Sequence, residues 1–333
     1  CVAHSASSIS NIQQIRTYGG VDPPPLLDAT WHETELAIIM LDNNFLEAND
    51  IPDTNSLHYR KLDVVDGHEM PKFGAVFAKD KSFNQLAVTS NLIAVGTTHG
   101  RVMLWSFKSE ALLYEISLTN GVVTELVFHP SGEWLLATID NSSAYQIDLE
   151  SHSVREIKFD IGENQHLSAL AFSEDGRLLV VAVDTILKMW ESDNWHLLQE
   201  QRVPVKSIQY LQFTPDDTHL IMLAEDKVVR WSLTENEFAI ATDFEAIPNK
   251  QPCLMRNADI SPDGSLLMTT DDCHQYRAWD MNLGKEIFVP QLDSSRDRPW
   301  EILEFSPDGR FMLSGSSISG WLLHFVYQPP VDK

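Results

Sequence analysis

Twelve histidines, 48 acidic residues and three cysteines are the groups in this chain that could bind metal, move protons or form covalent bonds. Their spacing decides which chemistry is open to them. His32-Glu33 and His68-Glu69 each lack the second histidine, one helical turn on, that a zinc-binding helix requires, and both lie among short runs that favour strands. Asp272, Cys273 and His274 are consecutive and could ligate a metal; the end of a strand and its turn accounts for the same three residues. The paired acids Asp216-Asp217 and Asp271-Asp272 fall at turns, where solvated charge is expected. Gly315-Ser316-Ser317-Ile318-Ser319-Gly320 has the composition of a nucleophile elbow without its Gly-x-Ser-x-Gly spacing. No phosphate, dinucleotide or calcium loop matches. Asn141-Ser142-Ser143 fits the glycosylation pattern, which is common by chance. The sequence thus predicts no catalytic residue, no cofactor-binding residue, no metal ligand set and no cofactor.

The elements that would position any site repeat along the chain. A turn recurs as His129-Pro130-Ser131-Gly132, Ser173-Glu174-Asp175-Gly176, Thr214-Pro215-Asp216-Asp217, Ser261-Pro262-Asp263-Gly264 and Ser306-Pro307-Asp308-Gly309, with fourth positions 44, 41, 47 and 45 residues apart. Pro presets φ, the acid caps the turn and Gly accepts the left-handed conformation, so each unit reads as a hairpin between short apolar strands. A second landmark ends a later strand in each unit: Trp105, Ile147, Trp190, Trp231, Trp279 and Phe325, with Asn49 fitting less well. From Asn49 to Phe325 these are 56, 42, 43, 41, 48 and 46 residues apart. The regular pitch marks the tryptophans as structural packing and argues against a cofactor stack or an aromatic cage.

Four strands per unit of about 40–45 residues is the pitch of a propeller blade. The residues quoted resemble the WD-repeat family over nearly the whole chain, although only Trp279-Asp280 carries the signature dipeptide and Gly-His occurs once, at Gly67-His68. The resemblance implies an all-β, seven-bladed β-propeller of four-stranded antiparallel blades. Its seven units run roughly 26–64, 84–118, 121–160, 167–203, 205–245, 254–291 and 300–327. The last lacks a fourth strand, and a spare strand lies at Ile12–Tyr18, so the ring is expected to close through its N-terminal strand, which removes an open edge. Residues 1–10 read as a tether, 11–327 as one propeller domain with an insertion at about 65–83, and 328–333 as a tail.

Two cysteines bear on register. If the hairpin at Ser261–Ser265 is centred on Asp263, opposite residues sum to 526, and Cys253 and Cys273 sum to 526. They would face each other near the reach of a disulfide; a bulge in either strand would break that register and leave two buried thiols.

With 24 basic against 48 acidic residues the net charge is −24, which repels nucleic acid and anionic headgroups and favours a protein partner with a basic face. No apolar run approaches the length of a transmembrane helix. Cys1 followed by the small, Ser-rich Val2–Ser10 resembles the start of a mature bacterial lipoprotein, which implies lipidation at Cys1 and an outer-membrane protein facing the periplasm. The function expected is a non-enzymatic protein-interaction scaffold of the cell envelope. The alternatives are a soluble intracellular adaptor and a metal-dependent, lactonase-type hydrolase with its site in the central channel.

Overall fold

The computed structural model describes residues 83–315 apart from 107, 110, 163–164, 226, 235–236, 247–252, 274 and 288–301, and beyond that span the strands at 13–18, 26–31, 37–43, 56–63, 75–77 and 322–326. Among the described residues the structure is all strand. β1 is Gln13–Tyr18. β2 (Leu26–Trp31), β3 (Ala37–Asn43), β4 (Ser56–Asp63) and β5 (Ala75–Phe77) form one sheet. β6 (Phe83–Val88), β7 (Leu92–Thr97), β8 (Arg101–Ser106) and β9 (Ala111–Ser117) form the next, and β10 (Val123–Phe128), β11 (Trp134–Ile139), β12 (Ser143–Asp148) and β13 (Val154–Ile157) another. β14 (Leu167–Phe172), β15 (Leu178–Val183), β16 (Ile186–Glu191) and β17 (His196–Arg202) follow, then β18 (Tyr210–Phe213), β19 (His219–Ala224), β20 (Lys227–Thr234) and β21 (Glu237–Asp243). β22 (Met255–Ile260), β23 (Leu266–Asp271), β24 (Tyr276–Asp280) and β25 (Lys285–Ile287) make a sixth sheet. In the seventh, β26 (Ile302–Phe305), β27 (Phe311–Gly315) and β28 (Leu322–Val326) are joined by β1 in the order β1-β28-β27-β26.

The strands group into two compact units. One holds residues 1–17, 161–314 and 323–333, and the other 18–160 and 315–322. In the second unit, Ala94 and Leu104 of one sheet pack with Leu126, Leu135 and Ile147 of the next. In the first, Leu178, Val180 and Met189 pack with Phe213, Met222 and Trp231. Ile221, Leu223 and Phe244 likewise pack with Met255, Leu267 and Trp279. Each core is a seam between the facing sides of consecutive sheets. The second strands accordingly lose the period-two alternation: β11, β15 and β23 are buried at all six positions.

The repeated turns are fixed by one hydrogen-bond pattern. Ser261 Oγ donates to Asp263 Oδ1 (2.6 Å) and accepts from Leu266 N (3.0 Å), while Gly264 N donates to Ser261 O (2.8 Å) at φ 69°. Ser173, Thr214 and Ser306 make the same bonds to Asp175, Asp216 and Asp308 at 2.8, 2.6 and 2.7 Å. Pro within the turn and Gly in the left-handed region let the chain reverse without leaving a buried amide unpaired.

The first unit of the repeat departs from the sequence reading. Ala75–Phe77, inside the stretch 65–83 expected to be an insertion, pairs with Ser56–His58 as the edge strand of its sheet. The third strand is Ser56–Asp63, beyond Asn49, which lies outside the described residues. A three-residue edge strand has too few positions to show an alternation, so no periodicity marks it.

Register is the second departure. β22 and β23 pair with sums of 527 from Asn257↔Thr270 to Ile260↔Leu267, and the sum returns to 526 only at Met255↔Asp271, across a bulge at Arg256. The same irregularity recurs at the start of β2, β6, β10 and β14. Bulges of this kind raise the local twist and re-aim the strand.

Candidate interaction site

Turn residues and the strands behind them build a pocket of about 340 Å³ between consecutive sheets of the first unit. Its walls are the β18–β19 turn, with Thr214, Pro215 and Asp216, and the β22–β23 turn, with Asp263 and Gly264. His219, Arg230, Met281 and Asn282 complete the lining. Gly264 is favoured here by its positive φ alone, since an added Cβ would meet Pro215 Cδ at 3.6 Å, an ordinary contact distance.

The two carboxylates are preorganised. Asp216 Oδ1 accepts from Thr214 Oγ1, from Thr218 Oγ1 (2.7 Å) and from Thr218 N (3.1 Å). Burial pushes its pKa up, but these donors outweigh it and hold the carboxyl below the usual range. Asp263 is the same case: burial opposes, and Ser261 and Ser265 overcome it. Asp216 Oδ2 has no hydrogen bond among the described residues and is available to a partner.

His219 and Arg230 complete the lining chemistry. Because Thr218 Oγ1 gives its proton to Asp216, the 2.7 Å contact with His219 Nδ1 requires Nδ1–H as donor, which leaves Nε2 as an acceptor in the neutral ring. Burial and then the Arg230 charge lower the His219 pKa, against a smaller upward pull from Asp216, so the ring is neutral at pH 7. Arg230 Nη1 donates to Met281 O (2.8 Å), and its guanidinium lies 5.3 Å from the centre of the Phe244 ring. This anchoring holds a cation back at one wall of the pocket.

Asp217 occupies the position that Gly takes in the other turns, at φ 55°. Its two carboxylate oxygens accept the backbone amides of Glu174 (2.7 Å) and Asp175 (3.0 Å) from the turn of the preceding sheet. The Asp216-Asp217 pair is therefore no mere solvated charge. One carboxylate faces the pocket, and the other ties two turns together.

The other paired acids also carry more than solvated charge. Asp271 is fully buried and bound by Arg277 Nε at 2.9 Å, with Glu286 3.9 Å from Arg277 Nη1. Asp272 Oδ1 accepts from Leu254 N (2.9 Å). Asp140 and Asp184 accept the corresponding amides of Val122 and His166. The signal for the Arg277 cluster was present in the sequence: a lone basic residue inside the third-strand segment Tyr276–Asp280, six residues after an acid.

The remaining residues singled out by sequence fall as follows. Cys253 and Cys273 are disulfide-bonded, with Cα atoms 5.8 Å apart. Trp231 and Trp279 pack in the seams between sheets, and Trp279 Nε1 donates to Thr269 Oγ1 (3.1 Å). Trp105, Ile147 and Trp190 are buried, at 7, 0 and 5% exposure. Phe325 lies in β28. Cys1, His32, His68, His274 and Ser316–Gly320 lie outside the described residues.

A polar network crosses the first strands of three consecutive sheets. Tyr210 Oη donates to Gln212 Oε1 (2.8 Å), and Gln212 Nε2 donates to Asp259 Oδ1 (2.9 Å). Asp259 Oδ2 accepts from Phe305 N at 2.5 Å. Burial pushes the Asp259 carboxyl up to about 6, against the pull of these donors.

Comparison with known proteins places this geometry. Residues 151–191, which contain the Ser173–Gly176 turn and Trp190, match the family described as WD domain, G-beta repeat. The chain is 32% identical over 110 residues to WD repeat-containing protein 36 of Homo sapiens, covering 32% of this chain and 11% of that protein. It is 22% identical over 234 residues to p21-activated protein kinase-interacting protein 1-like of Gallus gallus, covering 69% of this chain and 61% of that protein. The chain thus spans less than two thirds of either relative's length.

Proposed function

We propose that this chain, which carries WD repeats in four-stranded sheets, is a non-enzymatic scaffold that holds a protein partner against the turns between its sheets. The observation that carries this reading is the pocket between the Thr214–Asp217 and Ser261–Gly264 turns. Both of its carboxylates are ionised and locked by their own turns, so little side-chain freedom is lost when a partner docks. A basic side chain suits it: Asp216 Oδ2 offers an unused acceptor, and a net charge of −24 draws basic surfaces to the molecule. One relative is named for interaction with a protein, which supports protein as the class of partner. The test is affinity purification from the native source with the wild-type chain and with Asp216→Asn/Asp263→Asn. The reading expects a protein that the wild type retains and the double variant loses; equal recovery on both would refute the pocket as the contact.

The finer form of the reading assigns all seven sheets to one propeller over 11–327, closed by β1, and places the protein in the cell envelope. What supports the compartment is the Cys253–Cys273 disulfide, a bond that persists outside reducing cytosol. Fractionation of the native cell, with the redox state of Cys253 and Cys273 read by thiol labelling, is the test. Reduced cysteines in freshly isolated protein would favour the intracellular adaptor instead.

A further inference from the structure

We propose that Cys253, Cys273 and Asp271 form a zinc site when the Cys253–Cys273 bond is reduced. The two sulfurs and a carboxylate oxygen of Asp271 lie within 4.8 Å of one another. Zinc bound by thiolates at about 2.3 Å and carboxylate at about 2.0–2.2 Å holds its ligand atoms about 3.3–3.8 Å apart. Small side-chain rotations from the present positions reach that geometry. The backbone that carries the ligands is held by sheet pairing: Met255 faces Asp271 across β22 and β23, and Asp272 N and Leu254 N bridge the two chains just beyond.

Charge favours the exchange. In the oxidised protein the buried cluster of Asp271, Arg277 and Glu286 beside the bridge holds two negative charges and one positive, leaving one net negative charge. Reduction to two thiolates adds two negative charges, and a divalent ion cancels both. The interior therefore holds the same net charge with zinc as with the sulfur–sulfur bond, whereas a bare dithiolate would not. The carboxylate is already aimed: Asp271 Oδ1 accepts from Cys273 N and Gln275 N, each at 3.0 Å, and Oδ2 accepts from Arg277. Such outer contacts orient a metal ligand. Cys253 is 2% exposed, but Cys273 is only partly buried, so reductant and metal enter at Cys273 and a fourth position remains for water.

The chemistry balances with a phosphine as reductant. Phosphorus attacks one sulfur, the sulfur–sulfur bond breaks, and water supplies the oxygen of the phosphine oxide and the protons of two thiols. Zinc then displaces both thiol protons to solvent. The proposal rests on these three side chains and not on the scaffold reading or on a compartment.

The experiment uses the full chain carrying Cys1→Ser, so that only two cysteines remain. Zinc is added to the oxidised and the phosphine-reduced protein, and bound metal, proton release and melting temperature are read. The expected result is one zinc and two protons per reduced chain, a higher melting temperature on zinc addition, and no response from the oxidised chain. Cobalt(II) in place of zinc should give thiolate charge-transfer and tetrahedral bands. Cys253→Ser and Asp271→Asn should each weaken binding by about tenfold or more. A reduced chain that neither binds zinc nor gains thermal stability from it overturns the proposal, as does undiminished binding in Cys253→Ser.

Discussion

Much of this chain's acidity is engaged by its own backbone. Asp140, Asp184, Glu225 and Asp272 each accept an amide from the segment that enters the paired strand, and Asp175, Asp216, Asp263 and Asp308 each cap their own turn. Glu125 differs: it accepts no such bond, and burial alone pushes its carboxyl up to about 7. Because its pKa is raised in the fold, Glu125 favours the folded state fully below about 4.5, and that contribution is lost as pH rises through about 7. Glu125→Gln should therefore be more stable than wild type by about 1–2 kcal/mol at pH 8 and match it at pH 4.5, allowing for the solvent its carboxyl retains. Parallel denaturant titrations at the two pH values check this; a difference independent of pH contradicts it. Trp279→Ala should lower stability by about 3–5 kcal/mol, since the ring is fully buried against Phe244 and holds Thr269. A folded variant of unchanged stability that loses its partner would instead make Trp279 a contact residue.

At the scale of elements, β1 completes the sheet of β26, β27 and β28. Deleting residues 1–18 leaves that sheet three-stranded with β28 as an open edge, so the truncated chain should aggregate or unfold without a sharp transition. A melt as sharp and as high as the parent's, by calorimetry, would show that β1 is dispensable. The strand that supplies this edge was legible because the last repeat ended one strand short and a spare strand, Ile12–Tyr18, stood near the other end. The turns were legible for a local reason: Pro, Asp and Gly act within four residues. Register was not. The arithmetic that sets Cys253 opposite Cys273 assumes an unbroken hairpin summing to 526, while the strands run at 527 and recover 526 through the bulge at Arg256. Equivalent bulges fall on Leu27, Asn84, Thr124 and Ser168, residues with no common chemistry, so no composition announces them. The pocket was hidden for a related reason. Asp216 and Asp263 are 47 residues apart and meet only because consecutive sheets pack.

For the molecule as a whole, net charge and a preorganised acidic pocket make association with a basic partner faster and tighter at low salt. The association rate should fall several-fold between low and physiological ionic strength, with the dissociation rate changing less; a rate indifferent to salt would remove electrostatics from the account. The measurement that bears most directly on the central claim is capture from the native source with the wild-type chain beside Asp216→Asn/Asp263→Asn, both confirmed folded by their melting curves. The account predicts a protein retained by the wild type, released by salt and lost from the double variant. Retention of the same protein by both chains, or a wild type that captures nothing while turning over a small molecule, would contradict it.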